Sequence, residues 1–213
     1  MAAEARLRIL IVGASGTIGK AVVDELKKRH DIVTAGRNSG DIKLDMSDAA
    51  SIVAGLKKAG QLDAVVSAAG EVAFAPLDNF TPATFGESLH TKGLTNKLLG
   101  QVNLALAARD VLKDRGSITL TSGILSEQPI AAGSSASMVN GAIDSFVRAV
   151  AIEMPRGLRI NVVSPTLVDE SAAAFGPFFR GFETVPAARA ALAYSRSVEG
   201  MQTGQVYKVF GGG

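Results

Sequence analysis

The chain has no cysteine and no tryptophan, and only two tyrosines and two histidines among its 213 residues. Without cysteine there is no disulfide framework, no thiolate zinc site, no iron–sulfur cluster and no cysteine nucleophile. With so little imidazole and phenol, proton-transfer chemistry has few candidate groups. An excess of one charge is missing too: 22 Lys and Arg stand against 20 Asp and Glu, a net +2. So close a balance is weak evidence for a nucleic-acid partner, and none is expected. No apolar run approaches the roughly 18 residues needed to span a bilayer. The first such run, residues 9–12, passes straight into a glycine turn and does not read as a secretory leader. No repeat, heptad or Pro-rich linker marks a second unit. Neither histidine has a partner at metal-ligand spacing, so no metal site is expected.

What is present fits one ordinary globular domain over residues 1–213, expected in the cytoplasm: 47% of the residues are hydrophobic and 20% charged. Short β-branched runs alternate with longer segments of helical period. The runs at 7–12, 31–35, 42–44, 64–67, 117–121, 159–163 and 205–210 read as buried strands. The segments at 17–29, 47–58, 94–113, 139–154 and 187–196 read as helices. Strands apolar on both faces, each followed by a helix, indicate a parallel sheet covered on both sides. Right-handed crossovers then favour a doubly wound, three-layer αβα sandwich of the Rossmann kind.

The first strand ends in Gly13-Ala-Ser-Gly16-Thr-Ile-Gly19, and a helix opens at once. Glycines there permit a tight turn and close approach of the backbone to a pyrophosphate, whose charge the helix N-terminus favours. Gly13, Ser15, Gly16, Thr17, Ile18 and Gly19 are thus candidate dinucleotide contacts. The same spacing would also serve a plain strand–helix turn. After the second strand, Ala35-Gly36-Arg37 carries no acid to hold ribose hydroxyls, and its guanidinium suits a 2′-phosphate. NADP(H) is therefore favoured over NAD(H), against the simpler reading of a solvated arginine at a strand end. Asp45 follows the third strand and reads either as an acceptor for an adenine amino group or as a turn residue. Ala68, Ala69 and Gly70 form a small-residue turn after the fourth, fit for a flat ring or merely for tight packing.

Several segments together resemble the short-chain dehydrogenase/reductase family along almost the whole chain. They are Val12-Gly-Ala-Ser-Gly-Thr-Ile-Gly19, Ala35-Gly-Arg37, Leu44-Asp45, Ser67-Ala-Ala-Gly70 and Ile118-Thr-Leu-Thr-Ser-Gly123. Arg159-Ile-Asn-Val-Val-Ser-Pro165 and Thr203-Gly-Gln-Val206 complete the set. The resemblance implies a single Rossmann domain with a seven-stranded parallel sheet, assembled as a homodimer or homotetramer. It also implies hydride transfer between a nicotinamide cofactor and a small carbonyl or alcohol. In that family a serine, a tyrosine and a lysine, helped by an asparagine, carry the chemistry, and Ser122 matches the serine.

The tyrosine and lysine have no match, since their positions fall at Ala136 and Asn140. The asparagine position falls at Lys97, with Lys92 as the competing alignment if this helix carries an insertion. Pro165 and Val168 match the stretch that meets the nicotinamide. A methyl at 136 exchanges no proton, and an amide at 140 depresses no neighbour's pKa. An inward-pointing Lys97 would restore a cation, so Ser122 and Lys97 are the catalytic candidates. The implied activity is NADP(H)-dependent reduction or oxidation of an unidentified carbonyl or alcohol, with a degenerate tetrad. The alternative is a non-catalytic or regulatory NADP(H)-binding protein. The segment Phe175-Gly-Pro-Phe-Phe-Arg-Gly-Phe182 falls where the family places a substrate lid, and reads as a pocket wall, a cover over the cofactor, a contact with another subunit or a packed loop.

Overall fold

The computed structural model describes residues 6–211, with side chains described for all of these except 88–91. Seven strands form one parallel sheet: β1 (Arg8–Val12), β2 (Asp31–Gly36), β3 (Ile42–Lys43), β4 (Leu62–Ser67), β5 (Leu112–Thr121), β6 (Arg159–Pro165) and β7 (Val206–Val209). Their spatial order is β3-β2-β1-β4-β5-β6-β7, so the winding reverses between β1 and β4. In such a sheet the crevice at the carboxyl ends on either side of that reversal is where ligands bind.

Strand side chains alternate between two cores. Leu10 and Val12 face one layer, where they pack with α2 (Ala49–Ala59), α4 (Gly100–Ala108) and α5 (Ser134–Val150) through Leu56, Leu104 and Ile143. Ile9 and Ile11 face the other, against α1 (Thr17–Leu26) and α7 (Ala187–Glu199) through Val22, Leu26 and Tyr194. Both faces are covered, as the double-sided apolar strands required. The short helices α3 (Pro82–Ser88) and α6 (Ala172–Phe175) lie outside these layers, in the connections after β4 and β6. No helix among the described residues is long and apolar enough to cross a membrane.

The helix expected over 139–154 runs instead over Ser134–Val150, and two further departures bear on the site. The helix expected over 94–113 ends at Ala108, and β5 begins at Leu112, five residues before the expected strand start. Leu112 pairs with Leu62, and Arg115 takes a left-handed φ of 64° where the ladder shifts register. This polar half-strand, Lys113-Asp-Arg-Gly116, has no alternation to betray it; its partner strand imposes it. The second departure precedes α4: residues Leu89–Leu99 wind as a π-helix, with wider turns than an α-helix. Such winding is how a helix absorbs extra residues. A close approach then fixes the register, because a Cβ on Gly100 would lie 2.5 Å from the Met46 carbonyl oxygen.

Candidate functional site

Two hollows open side by side along the carboxyl edge of the sheet, and Ala69 and Gly70 border both. They make one continuous cleft across the β1/β4 switch point. The glycine loop supplies its near wall. Gly13 has a φ of +84°, and a Cβ there would meet the Ala69 backbone nitrogen at 2.8 Å. Gly19 is buried beneath the loop, where a Cβ would fall 2.0 Å from the Gly13 carbonyl oxygen. That glycine therefore serves the packing of α1 on the turn and lines neither hollow. Gly16 differs from both: its φ is −73° and a Cβ would sit 3.4 Å from its nearest neighbour. The protein has room for a side chain at Gly16, so the open space there belongs to whatever approaches from outside. Gly16 also N-caps α1 with no side-chain cap and no acid in the first turn. The first amides of that helix are left for an anion. Thr17 opens the helix, but its neighbours are Lys20 and Glu170 in a separate depression. Ile18 points the other way and lines the inner hollow.

The outer hollow, about 230 Å³, is lined by Gly13, Ser15, Arg37, Asp45, Gly70, Glu71 and Asn96 among others. Its side chains are polar and solvated. Ser15 accepts a hydrogen bond from Ser39 at 3.0 Å. Asp45 accepts from the Ser47 amide at 2.9 Å, an Asx turn before α2, and it still borders the hollow. The turn reading of Asp45 is therefore met, and its place on the hollow leaves it within the candidate cofactor site. Arg37 stands at the rim, 60% exposed, with Glu71 4.0 Å away. Glu71 is held through its own amide, which donates to Asn96 Oδ1 at 3.1 Å, while Asn96 donates to Ser47 at 3.0 Å. Sequence reasoning missed Glu71 and Asn96. An acid directly after the turn glycine was the available signal for the first; the second needed the fold.

The inner hollow, about 250 Å³, is lined by Ala68, Ala69, Lys97, Ser122, Ala136, Asn140, Pro165 and Val168 with a largely apolar remainder. Lys97 reaches it from the last turn of the π-helical segment. Its stem lies over Gly70, where a Cβ would strike Lys97 Cγ at 2.6 Å, and its Nζ donates to the Ser122 carbonyl at 3.0 Å. Burial pulls the ammonium pKa down to about 8, opposed by the nearby charge of Asp144 on α5. Lys92 lies outside both hollows. Ser122 is 3% exposed, and its hydroxyl has no partner; the same holds for Asn140 Oδ1. Asn140 reaches this floor from α5 because Gly123 has no side chain: a Cβ there would meet Asn140 Nδ2 at 3.0 Å. Buried orphaned polar atoms are uncommon and mark places where a water or ligand completes the bonding. Ala136 is fully buried at the same end and contributes only a methyl.

Val168 pairs with Val185, and Val185 makes both bonds of that bridge, from its amide to Leu167 O at 3.2 Å and to its carbonyl from the Asp169 amide at 2.9 Å. In a parallel bridge this turns the Val168 N–H away from its partner strand. The far wall is aromatic. Phe74, in the loop after β4, stacks on Phe178 at 5.3 Å and meets Phe175 and Phe179 at 5.9 and 6.3 Å. Phe74 is a third residue that sequence reasoning missed, since a lone aromatic in an aperiodic loop carries no local signal.

Neither tyrosine reaches the hollow. Tyr194, on α7, is fully buried on the other face, and its hydroxyl lies 2.6 Å from Thr121 Oγ1. Burial pushes its pKa up, against the Thr121 hydrogen bond. Tyr207 donates to Gln202 at 3.1 Å beside Arg196. Among the described residues no cluster of three or more His, Asp or Glu is placed to hold a metal.

Comparison with known proteins agrees with this architecture. The family described as enoyl-(acyl carrier protein) reductase matches residues 2–207. A short-chain dehydrogenase/reductase from Stachybotrys chlorohalonatus is 29% identical over 185 residues, 74% of this chain and 72% of that one. The crystal structure of the protein lin1944 from Listeria innocua is 48% identical, with a TM-score of 0.91 over 96% of this chain and all of that one. A small-chain dehydrogenase solved with NADPH is 24% identical, with a TM-score of 0.83 over 98% of both chains. A short-chain dehydrogenase from Burkholderia cenocepacia solved with NADP is 21% identical, with a TM-score of 0.82 over 96% of both. With a family match spanning nearly its whole length and a sheet, switch point and glycine loop that fit it, the chain belongs to the short-chain dehydrogenase/reductase family.

Proposed function

We propose that the protein is an NADP(H)-dependent oxidoreductase acting on a small carbonyl or alcohol, with Ser122 and Lys97 as its catalytic pair. The observation that carries this reading is the buried ammonium of Lys97 beside an unpartnered Ser122 hydroxyl, on the floor of a cleft shaped for a dinucleotide. Two neighbours of the same fold bound NADPH or NADP, which supports the cofactor assignment.

The chain's own residues fit such a cofactor. Room above Gly16 and the uncapped amides of α1 receive a pyrophosphate. Gly13, Ser15, Asp45 and the Ala69-Gly70 backbone border the adenosine side. Arg37 would hold a 2′-phosphate in place of its loose pairing with Glu71, which favours NADP(H) over NAD(H). Ala68, Pro165 and the Val168 amide face the inner end. A nicotinamide held there would supply or take up the hydride. Ser122 Oγ donates to the substrate oxygen, and Lys97 Nζ, adjacent through the Ser122 carbonyl, gives that oxygen its proton. A group with a pKa of about 8 is well matched to acid–base work near neutrality.

NADPH oxidation across a carbonyl panel tests the reading, with Ser122→Ala and Lys97→Met run beside the wild type. Turnover lost in both variants while NADPH still binds is the expected result. A second reading, a non-catalytic NADP(H)-binding protein, is favoured by the fully buried methyl of Ala136. Saturable NADPH binding with no turnover on any carbonyl would decide for it.

A further inference from the structure

The lining of the inner hollow restricts what can share it with a cofactor. Three of its polar side chains, Thr121, Thr166 and Lys97, are already engaged. Thr121 Oγ1 donates to the Ser67 carbonyl at 2.5 Å and meets Tyr194, and Thr166 Oγ1 donates to the Glu183 carbonyl at 3.0 Å. Lys97 is tied to the Ser122 carbonyl, and the charge of Asp144 opposes its own. That leaves the Ser171 hydroxyl, together with the Ser122 hydroxyl and Asn140 Oδ1, the last two both buried and unpartnered. A carboxylate or phosphate on the substrate would need a second cation or a guanidinium fork, and the lining holds neither. A polyol would need donors and acceptors along the walls.

The walls instead present hydrocarbon: Val72, Ile124, Leu125 and Leu167, closed by the rings of Phe74 and Phe179. Phe175 also lines the hollow yet remains 41% exposed, so ring surface is left open at the mouth. Phe74 joins the two loops that border this mouth, one after β4 and one after β6, through its three ring contacts. Flat bodies fit between such faces in offset-stacked or edge-on geometry.

We propose that the substrate is a compact, uncharged carbonyl compound with a flat apolar body, of the aryl or cycloalkenyl ketone class. Its oxygen lies on the Ser122 floor and its ring against Phe74, Phe175 and Phe179. This rests on the oxidoreductase reading for the placement of the carbonyl, and adds to it what the rest of the molecule must be.

Binding separates the two claims. Calorimetric titration of the full chain, saturated with NADP⁺ so that no reduction proceeds, would compare 1-indanone, pyruvate and dihydroxyacetone. The expected result is 1-indanone binding about tenfold or more tighter than the other two. Phe175→Ala, at the exposed mouth, should weaken 1-indanone about three- to tenfold and leave NADP⁺ affinity unchanged. Phe179→Ala should do the same, with a folded thermal transition as its control. Pyruvate or dihydroxyacetone binding as tightly as 1-indanone overturns the proposal, as does indifference of 1-indanone to both phenylalanine variants. No binding by any of the three also overturns it, while the accompanying NADP⁺ titration reports separately on the cofactor site.

Discussion

The two halves of the cleft are built on opposite principles. The outer hollow has a charged, solvated rim, and backbone and small residues shape it: Gly13, Gly70, Ser15, and the loose pair of Arg37 and Glu71 at 4.0 Å. The inner hollow is buried and mostly apolar, and side chains from distant elements shape it: Lys97, Ser122, Asn140 and the phenylalanines. Charge at the outer rim is screened by water and salt, so its loss is graded. Charge and hydroxyls at the inner floor sit in low dielectric, where one missing partner is costly. Substitutions should therefore act on binding in one half and on chemistry in the other.

The largest break in that comparison is at the floor. Ser122→Ala and Lys97→Met should each lower carbonyl reduction about 10²–10⁴-fold, measured as kcat, with NADPH affinity within about twofold of wild type. Equal losses in affinity and rate would show that the halves are not separable. Arg37→Ala should do the converse: NADPH binding weakens by about 1.5–3 kcal/mol, the worth of a hydrogen bond to a charged group, while NADH changes little and kcat is kept. Matching losses for both dinucleotides in a fluorescence titration would remove the 2′-phosphate from the account. Glu71→Gln takes away a carboxylate that competes with the phosphate, so NADPH should bind a few-fold tighter at low salt, an effect that fades as ionic strength rises.

The pH response sharpens the inner half. Lys97 holds its proton below about 8 and loses it as pH rises through that value. Reduction that draws on this ammonium should therefore be full at pH 6–7 and decline above about 8. Asp144→Asn removes the attraction that opposes burial, so the decline should move to lower pH. A profile unchanged in Asp144→Asn would show that the proton comes from elsewhere. Stability carries the same signature with the sign of a depressed base. The unfolded chain keeps its lysine proton up to about 10.5, so between about 8 and 10.5 the unfolded state binds more protons and stability rises with pH. Lys97→Met should flatten that slope in chemical denaturation. The smallest effect should come from Tyr194→Phe, which deletes the hydroxyl beside Thr121 but leaves the bond to the Ser67 carbonyl; about 1 kcal/mol is the expected cost, with activity retained.

The same division governs what was legible in the sequence. The sheet, its parallel order and the outer hollow follow from local pattern, because β-branched runs and glycine turns encode them within a few residues. Ser122 and Lys97 were also nameable, through register with a family whose order of motifs is specific. What local pattern did not contain is contact across the fold: Phe74 against Phe175, Phe178 and Phe179, Asn96 against Glu71, and the polar start of β5 fixed by Leu62. The scarcity of phenol was visible at once, but not where the two tyrosines go. Tyr194 ends under Thr121 on the α7 face, so the chain keeps a tyrosine close to the floor in space while sealing it off from the hollow.

The π-winding of Leu89–Leu99 makes segment length a functional quantity. Each residue of an α-helix turns the next by about 100°, so removing Leu99, which lies between Lys97 and Gly100, would swing the lysine to another side of the helix. Gly100 would remain fixed against Met46, while Leu94 and Leu98, at the edge of one core, would shift with the lysine. Such a deletion would leave a folded protein whose cation faces away from the hollow, with every residue named in the site still in the chain.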